Sequence, residues 1–167
     1  VNLFENVRKQ GALNLDGNSW AEVHDNASLD VSPAMTMEAW FNCDDISSTT
    51  YETIFSKPSS AIWGSPFARY NIRVIATNIQ YWFESAGYLS TYSVSLTGWN
   101  HLVVTKNGTA EKLYVNGIEV DNNTGNATIS ASTYGLLIGM NSLGDLGEKA
   151  NGQIAQPRIY NRALTNE

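Results

Sequence analysis

Glycoside hydrolysis needs two carboxylates facing each other across a sugar, roughly 5–9 Å apart. The chain offers few residues for such a pair. Glu119-Val120-Asp121 puts two acids on one strand face, and Asn122, Asn123 and Thr124 follow with no further acid. Beside a turn, that pair reads as solvated charge. Glu38 and Glu84 fall on different predicted strands, and an acid bonded to a neighbouring strand is the commoner explanation for each. The two histidines, His24 and His101, are too few and too far apart for a His-rich metal site. Gly-x-Ser-x-Gly, the phosphate-cradling P-loop and the GxGxxG fingerprint are all missing. The single cysteine, Cys43, excludes an intrachain disulfide and a multi-cysteine zinc site, and reads as a small buried hydrophobe near a strand end. No catalytic residue is assigned, and the chain reads as a non-enzyme.

Binding chemistry is better represented. Tyr70–Ala76 and Ile79–Glu84 flank Thr77-Asn78, a plausible hairpin turn. One face of that hairpin carries Tyr70, Ile72, Val74 and Ala76 from its first strand. The other carries Asn71 and Arg73 beside Gln80, Trp82 and Glu84. A planar aromatic among donors and acceptors of both signs suits a sugar, whose C–H face stacks on the ring while its hydroxyls find the polar groups. The competing expectation is that Trp82 is core and the polar groups satisfy one another. A second set, Trp20, Tyr51, Trp63, Tyr88 and Tyr92, lies in segments rich in Gly, Ser, Thr and Pro, which read as loops, where binding residues collect on a rigid scaffold. Trp63 in Ser59–Pro66 is either an anchor or a lid over the core.

The elements positioning these residues are strands. Period-two alternation dominates, and no stretch of ten or more residues holds a 3.6 period. In Ala12–Asp16, Leu13 and Leu15 point inward and Asn14 and Asp16 outward. Met37, Ala39 and Phe41 share one face of Met35–Phe41, with Thr36, Glu38 and Trp40 on the other. Thr53–Ser56 is short and stops at Lys57-Pro58. Trp99–Thr105, Lys112–Val115, Gly135–Ile138 and Gln153–Tyr160 follow. Asn116-Gly117 supplies the two positive-φ residues of a type I′ turn, so Lys112–Val115 and Ile118–Val120 should pair. Asp44–Thr50, Ser59–Pro66, Ala86–Thr97 and Asn141–Ala150 read as long loops, and Asn161–Leu164 as the start of a helical turn. With 18 Asn, 16 Ser and 13 Thr among 167 residues and only 16% charged, the surface is polar but uncharged, as in extracellular β-proteins. Net charge is −6 and the longest basic run is Arg8-Lys9, so nucleic acid and anionic membrane surfaces are poor partners. Apolar runs of four or five residues leave nothing to insert into a bilayer. Length favours one domain spanning residues 1–167, and a start at Val1 reads as a processed product or a module of a larger protein.

The order of these motifs resembles the LamG-like jellyroll domain, the laminin-G-like branch of the concanavalin A-like lectin/glucanase superfamily. The chain carries Ala12-Leu13-Asn14-Leu15-Asp16-Gly17, Ser28-Leu29-Asp30, Met35–Phe41 and Thr53-Ile54-Phe55-Ser56-Lys57. Gly98–Thr105, Leu113-Tyr114-Val115-Asn116-Gly117, Leu137-Ile138-Gly139, Gly152-Gln153-Ile154 and Arg158–Leu164 continue the pattern. The resemblance implies an all-β, two-sheet antiparallel jellyroll β-sandwich. It implies a concave sheet on which His101 and Tyr114 extend the Trp82 face. It also implies a structural calcium held by Asp16, backbone carbonyls and a later aspartate. Here that position is Ala155, and Pro157 replaces a strand residue with an N–H, which suits an edge or a bulge. A hard cation wants six to eight oxygens, so the lost carboxylate weakens the site, while Asp16 alone reads as a turn residue. Fold does not fix function in this superfamily. The leading expectation is a non-catalytic, lectin-like carbohydrate-binding module of a secreted or surface-exposed protein, whose partner is a glycan or polysaccharide. The alternatives are a structural or adhesion module (surface-layer, virion-decoration or protein-docking) and a degenerate glycosidase relative.

Overall fold

The computed structural model describes residues 11–43, 51–60, 68–85, 90–93, 98–126, 128–143 and 145–165. Fourteen strands occur among them: β1 (Leu13–Asp16), β2 (Ala21–Val23), β3 (Ala34–Cys43), β4 (Tyr51–Pro58), β5 (Ala68–Ile75), β6 (Asn78–Ser85) and β7 (Ser90–Ser93), then β8 (Asn100–Asn107), β9 (Ala110–Val115), β10 (Ile118–Thr124), β11 (Leu136–Ile138), β12 (Met140–Ser142), β13 (Asp145–Lys149) and β14 (Asn151–Tyr160). One six-stranded sheet runs β1-β14-β3-β8-β9-β10, a second runs β2-β11-β4-β5-β6-β7, and β12-β13 form a separate hairpin. Pairing is antiparallel throughout. This is the expected jellyroll β-sandwich.

Alternation builds the core between the two sheets. Met35, Met37, Ala39 and Phe41 of β3, Leu102 and Val104 of β8, and Leu113 and Val115 of β9 meet Tyr70, Ile72 and Val74 of β5 and Ile79, Tyr81 and Phe83 of β6. Asn116 (φ 52) and Gly117 (φ 82) form the expected turn, pairing Val115 with Ile118 and Tyr114 with Glu119. Asn116 Oδ1 also accepts from the His101 backbone N–H at 2.9 Å, tying the turn to β8.

Several boundaries differ from expectation. Leu13 is exposed (38%), since β1 is an edge strand and only its Leu15 reaches the core. The β5–β6 turn is Ala76-Thr77, with Ile75 opposite Asn78. Segment 86–97 contains β7, and segment 141–150 contains most of β12 and all of β13. Asn161–Arg162 is a bend and no helix follows among the described residues. Cys43 ends β3 half-buried, its thiol 3.6 Å from the Asn151 carbonyl oxygen.

β4 continues through Lys57 and Pro58 because Lys57 turns inward. Its Nζ is fully buried and donates to Asp25 Oδ1 (2.5 Å), the Tyr134 carbonyl (2.5 Å) and the Ser132 carbonyl (3.3 Å), with Asp30 Oδ1 at 4.0 Å. Nearby, burial and the two aspartates push the Tyr70 phenol far above its usual range, and it donates to the Leu29 carbonyl. In β14, Pro157 sits in a bulge rather than at an edge. Gln156 has φ 50, and the register with β3 jumps from Ala155↔Trp40 to Arg158↔Glu38.

Candidate functional site

The outer face of the second sheet carries one set of expected binding residues. β5 and β6 pair in the register Asn71↔Trp82 and Arg73↔Gln80, opposite in direction to the core set. The β12–β13 hairpin packs against β4 beside this face. From it, Glu148 accepts Arg73 Nη1 at 2.9 and 3.1 Å. Asn141 donates to Glu148 (2.7 Å) and accepts from Asn71 Nδ2 (3.0 Å) and Ser56 Oγ (3.3 Å). Arg73 Nε donates to Gln80 Oε1 at 3.0 Å. The guanidinium carbon lies 3.7 Å from the Tyr51 ring centroid and 5.0 Å from that of Trp82. A delocalised cation between two aromatic rings, answered by a carboxylate, is the arrangement Arg suits and Lys does not.

Burial grades these residues. Asn71 (0%), Arg73 (5%) and Trp82 (3%) form the floor, while Tyr51 and Gln80 are half-buried at its rim. Trp82 is buried on the outward side of β6, apart from both apolar clusters. Asn71 Oδ1 is buried with no hydrogen-bond partner among the described residues. Glu84, at φ 49, turns to the strand end, where it pairs with Arg69 Nη1 (2.5 Å) and accepts the Ser130 N–H. Tyr51 opens β4 and Tyr92 lies in β7 instead of in loops. Trp63 and Tyr88 lie outside the described residues. Trp20 is exposed, with Lys149 Nζ 5.1 Å from its ring centroid.

His101 and Tyr114 do not extend this face. Their strands belong to the first sheet, β8 pairing with β3 and β9 with β8, so both sit on the opposite outer surface of the sandwich. There His101 stacks on Trp40 at 4.9 Å and 25°. Glu38 Oε1 accepts from Arg158 Nη1 (2.7 Å) and Tyr160 Oη (2.9 Å). His101 Nε2 stands 3.6 Å from Glu38 Oε2. Burial lowers the His101 pKa, opposed by Glu38 and assisted by Arg158. The imidazole is therefore neutral at neutral pH, and the 3.6 Å contact is not an ion pair. Glu38 and Glu84 lie in different sheets and do not face each other. Glu119 is taken by Lys112 (2.9 Å) and Asp121 by the Tyr81 hydroxyl (3.3 Å).

Asp16 is a turn anchor. Its Oδ1 accepts from the backbone of Asn18 (3.0 Å) and Ser19 (2.9 Å) and from the Ser19 hydroxyl (2.8 Å), bonds that hold its carboxyl below the usual range. Lys149 Nζ donates to the Asn18 carbonyl in the same turn. No group of three or more His, Cys, Asp and Glu gathers among the described residues.

Glu148 and Asn141, which complete the Arg73 cluster, carry little signal in the sequence because their segment resembles a loop. The one cue is Gly144 between two short segments, which suits a hairpin.

A two-sheet jellyroll with polar and aromatic outer faces defines a lectin-type β-sandwich. The sequence matches Laminin_G_3 of the concanavalin A-like lectin/glucanases superfamily over residues 15–167, and the chain belongs to that family. No curated protein matches it in sequence. Among solved structures it is similar to domain 4 of AbnA, a GH43 extracellular arabinanase from Geobacillus stearothermophilus, in complex with arabinotriose. That likeness has TM-score 0.70 and 21% identity, and covers 93% of this chain and 72% of that one. It is also similar to the Ruminococcus gnavus IT-sialidase CBM40 bound to α2,3-sialyllactose (TM-score 0.75, 10% identity, covering 93% and 91%). The NanB sialidase from Streptococcus pneumoniae matches with TM-score 0.68 and 18% identity, and this chain spans 26% of it. At these identities the likeness is one of fold. No helix among the described residues is long and apolar enough to cross a membrane.

Proposed function

We propose that the domain is a non-catalytic carbohydrate-binding module of a secreted or surface-exposed protein, holding a glycan on the outer face of the second sheet. The observation that carries this reading is the Tyr51–Arg73–Trp82 stack with Gln80 beside it, an aromatic and polar cluster on the outward face of the second sheet. Tyr51 and Gln80 meet the sugar, while Trp82, Arg73, Asn71 and Glu148 hold the floor in place. The arabinotriose and sialyllactose complexes of similar folds support a saccharide as the ligand. Glu38 and Glu84 serve as hydrogen-bond acceptors for Arg158 and Arg69, not as a catalytic pair.

The test is retention on immobilised polysaccharides and glycans, run with calcium and with EDTA. Tyr51→Ala removes one half-buried stacking ring and is expected to weaken retention about tenfold, the loss of roughly 1.4 kcal/mol, with little change in melting temperature. Trp82→Ala should lower both retention and stability, because the ring is buried. Equal retention in calcium and EDTA is expected from the Asp16 geometry. No retention on any surface moves the reading to a structural or adhesion module, and reducing-sugar release lost in Glu38→Gln or Glu84→Gln moves it to a glycosidase.

A further inference from the structure

The first sheet's outer face carries a groove that the reading above leaves unused. A cavity of about 170 Å³ is lined by Glu38, His101, Val103, Thr105, Tyr114 and Leu164. A second, of about 380 Å³, continues from it over Lys112 and Glu119 and shares Thr105, Tyr114 and Leu164 as lining. The larger part alone lies within the range of small-molecule sites, roughly 300–1,000 Å³. The segment after β14 forms one wall and is pinned there, since Thr36 Oγ1 donates to the Arg162 carbonyl and accepts from the Leu164 N–H, both at 2.9 Å.

From this geometry we infer that the groove is a second, independent ligand site, one that takes a neutral saccharide. Its charges answer one another locally: Arg158 neutralises Glu38, and Lys112 neutralises Glu119. His101 carries no charge at neutral pH, since burial lowers its pKa. An anion or a cation therefore finds no unanswered partner there. Hydroxyls do. Glu38 Oε2 lies 3.6 Å from His101 Nε2, beyond hydrogen-bond length, and so retains acceptor capacity at the floor. Thr105 adds a hydroxyl, the Tyr114 hydroxyl donates to Glu119 at 3.3 Å and is left as an acceptor, and the ring of Tyr114 with Val103 and Leu164 offers the apolar surface a sugar's C–H face needs. Because the two faces belong to opposite sheets, a module filled at both would be bivalent.

The experiment is an amide-shift titration of the whole protein by NMR, using arabinotriose, xylotriose and cellotriose as neutral probes and α2,3-sialyllactose as an anionic one. Shifts at residues 101–105 and 112–119 with a neutral probe, abolished in Tyr114→Ala and preserved in Tyr51→Ala, are the expected result. Thr105→Val, which keeps the shape and removes one hydroxyl, should weaken the same shifts several-fold if Tyr114→Ala fails to fold. Absence of groove shifts with every neutral probe overturns the inference, as does an equal response to sialyllactose. Shifts at residues 51, 73, 80 and 82 alone leave the second-sheet site standing and remove this one, while shifts at the groove alone do the reverse.

Discussion

Replacing Lys57 by Met keeps the aliphatic stem and deletes a buried ammonium. In the native fold that group has no solvent and answers one carboxylate at 2.5 Å, a second at 4.0 Å and two backbone carbonyls. Removing one partner of a buried ion pair typically costs about 3–5 kcal/mol, and each buried acceptor left unmade adds about 1–3 kcal/mol. Two features reduce that sum. The Asp25 and Asp30 side chains are 36% and 23% exposed, so water can re-solvate part of their charge. The methionine also recovers apolar contact. A loss of about 3–5 kcal/mol is the net expectation, equivalent to a fall in melting temperature of roughly 10 °C for a domain of this size. Chemical denaturation measures it as a lower midpoint with an unchanged slope. Lys57→Met combined with Asp25→Asn should lose less than the two single variants summed, because the second change removes a charge that the first has orphaned. A midpoint shift below about 1 kcal/mol, or strict additivity in the double variant, refutes the account of Lys57 as the tie between β4 and the segments at Asp25 and Tyr134.

Two further predictions concern other parts of the sandwich. Gly152 has φ 148, and a Cβ there would stand 2.3 Å from the Asn42 carbonyl oxygen and 3.0 Å from Cys43 Cα, both backbone atoms of β3. Gly152→Ala should therefore cost about 2–4 kcal/mol in a thermal melt, and an unchanged melting temperature contradicts the close approach of β14 to β3. For His101 the folded pKa is depressed below about 6.5, so the unfolded chain takes up the proton first as pH falls. Stability from the neutral imidazole is complete above about pH 6.5 and is lost as pH drops towards the folded value. The wild-type melting temperature should fall more steeply than that of His101→Gln between about pH 7 and 5, and parallel profiles refute a half-buried neutral imidazole.

How much of each feature is legible in the residues follows from the range over which its signal acts. Alternation of Met37, Ala39 and Phe41 against Thr36, Glu38 and Trp40 identifies the core face of β3, because side-chain direction depends only on the strand's own period. The Asn116-Gly117 hairpin is equally local. Alternation does not say which sheet a strand joins, and that choice is made by partners far along the chain: β3 pairs with β8 and β14, not with the β5–β6 hairpin. The family resemblance accordingly implies His101 and Tyr114 on the Trp82 face, and they lie on the other. Lys57-Pro58 resembles a strand stop because the acceptors that draw Lys57 inward are largely backbone carbonyls, which have no sequence identity. Glu148 reaches Arg73 through β12 and β13, and β12 is too short for its residues to show a period.

The bulge in β14 sets the phase of everything after it. Ile154 faces the core and Ala155 faces outward, joining Trp40 and Trp99. After Gln156-Pro157 the parity reverses, so that Arg158 and Tyr160 reach Glu38 on the outer face while Ile159 packs on the core. A strand is read two residues at a time, and this bulge acts on that reading as a frameshift acts on a gene. Straightening the bulge with every residue kept would restore the original alternation, driving a guanidinium towards the methionines of β3 and expelling an isoleucine into water. The Glu38 cluster, the wall of the groove and the inward seat of Ile159 are thus one inherited unit, and they can be kept or lost only together.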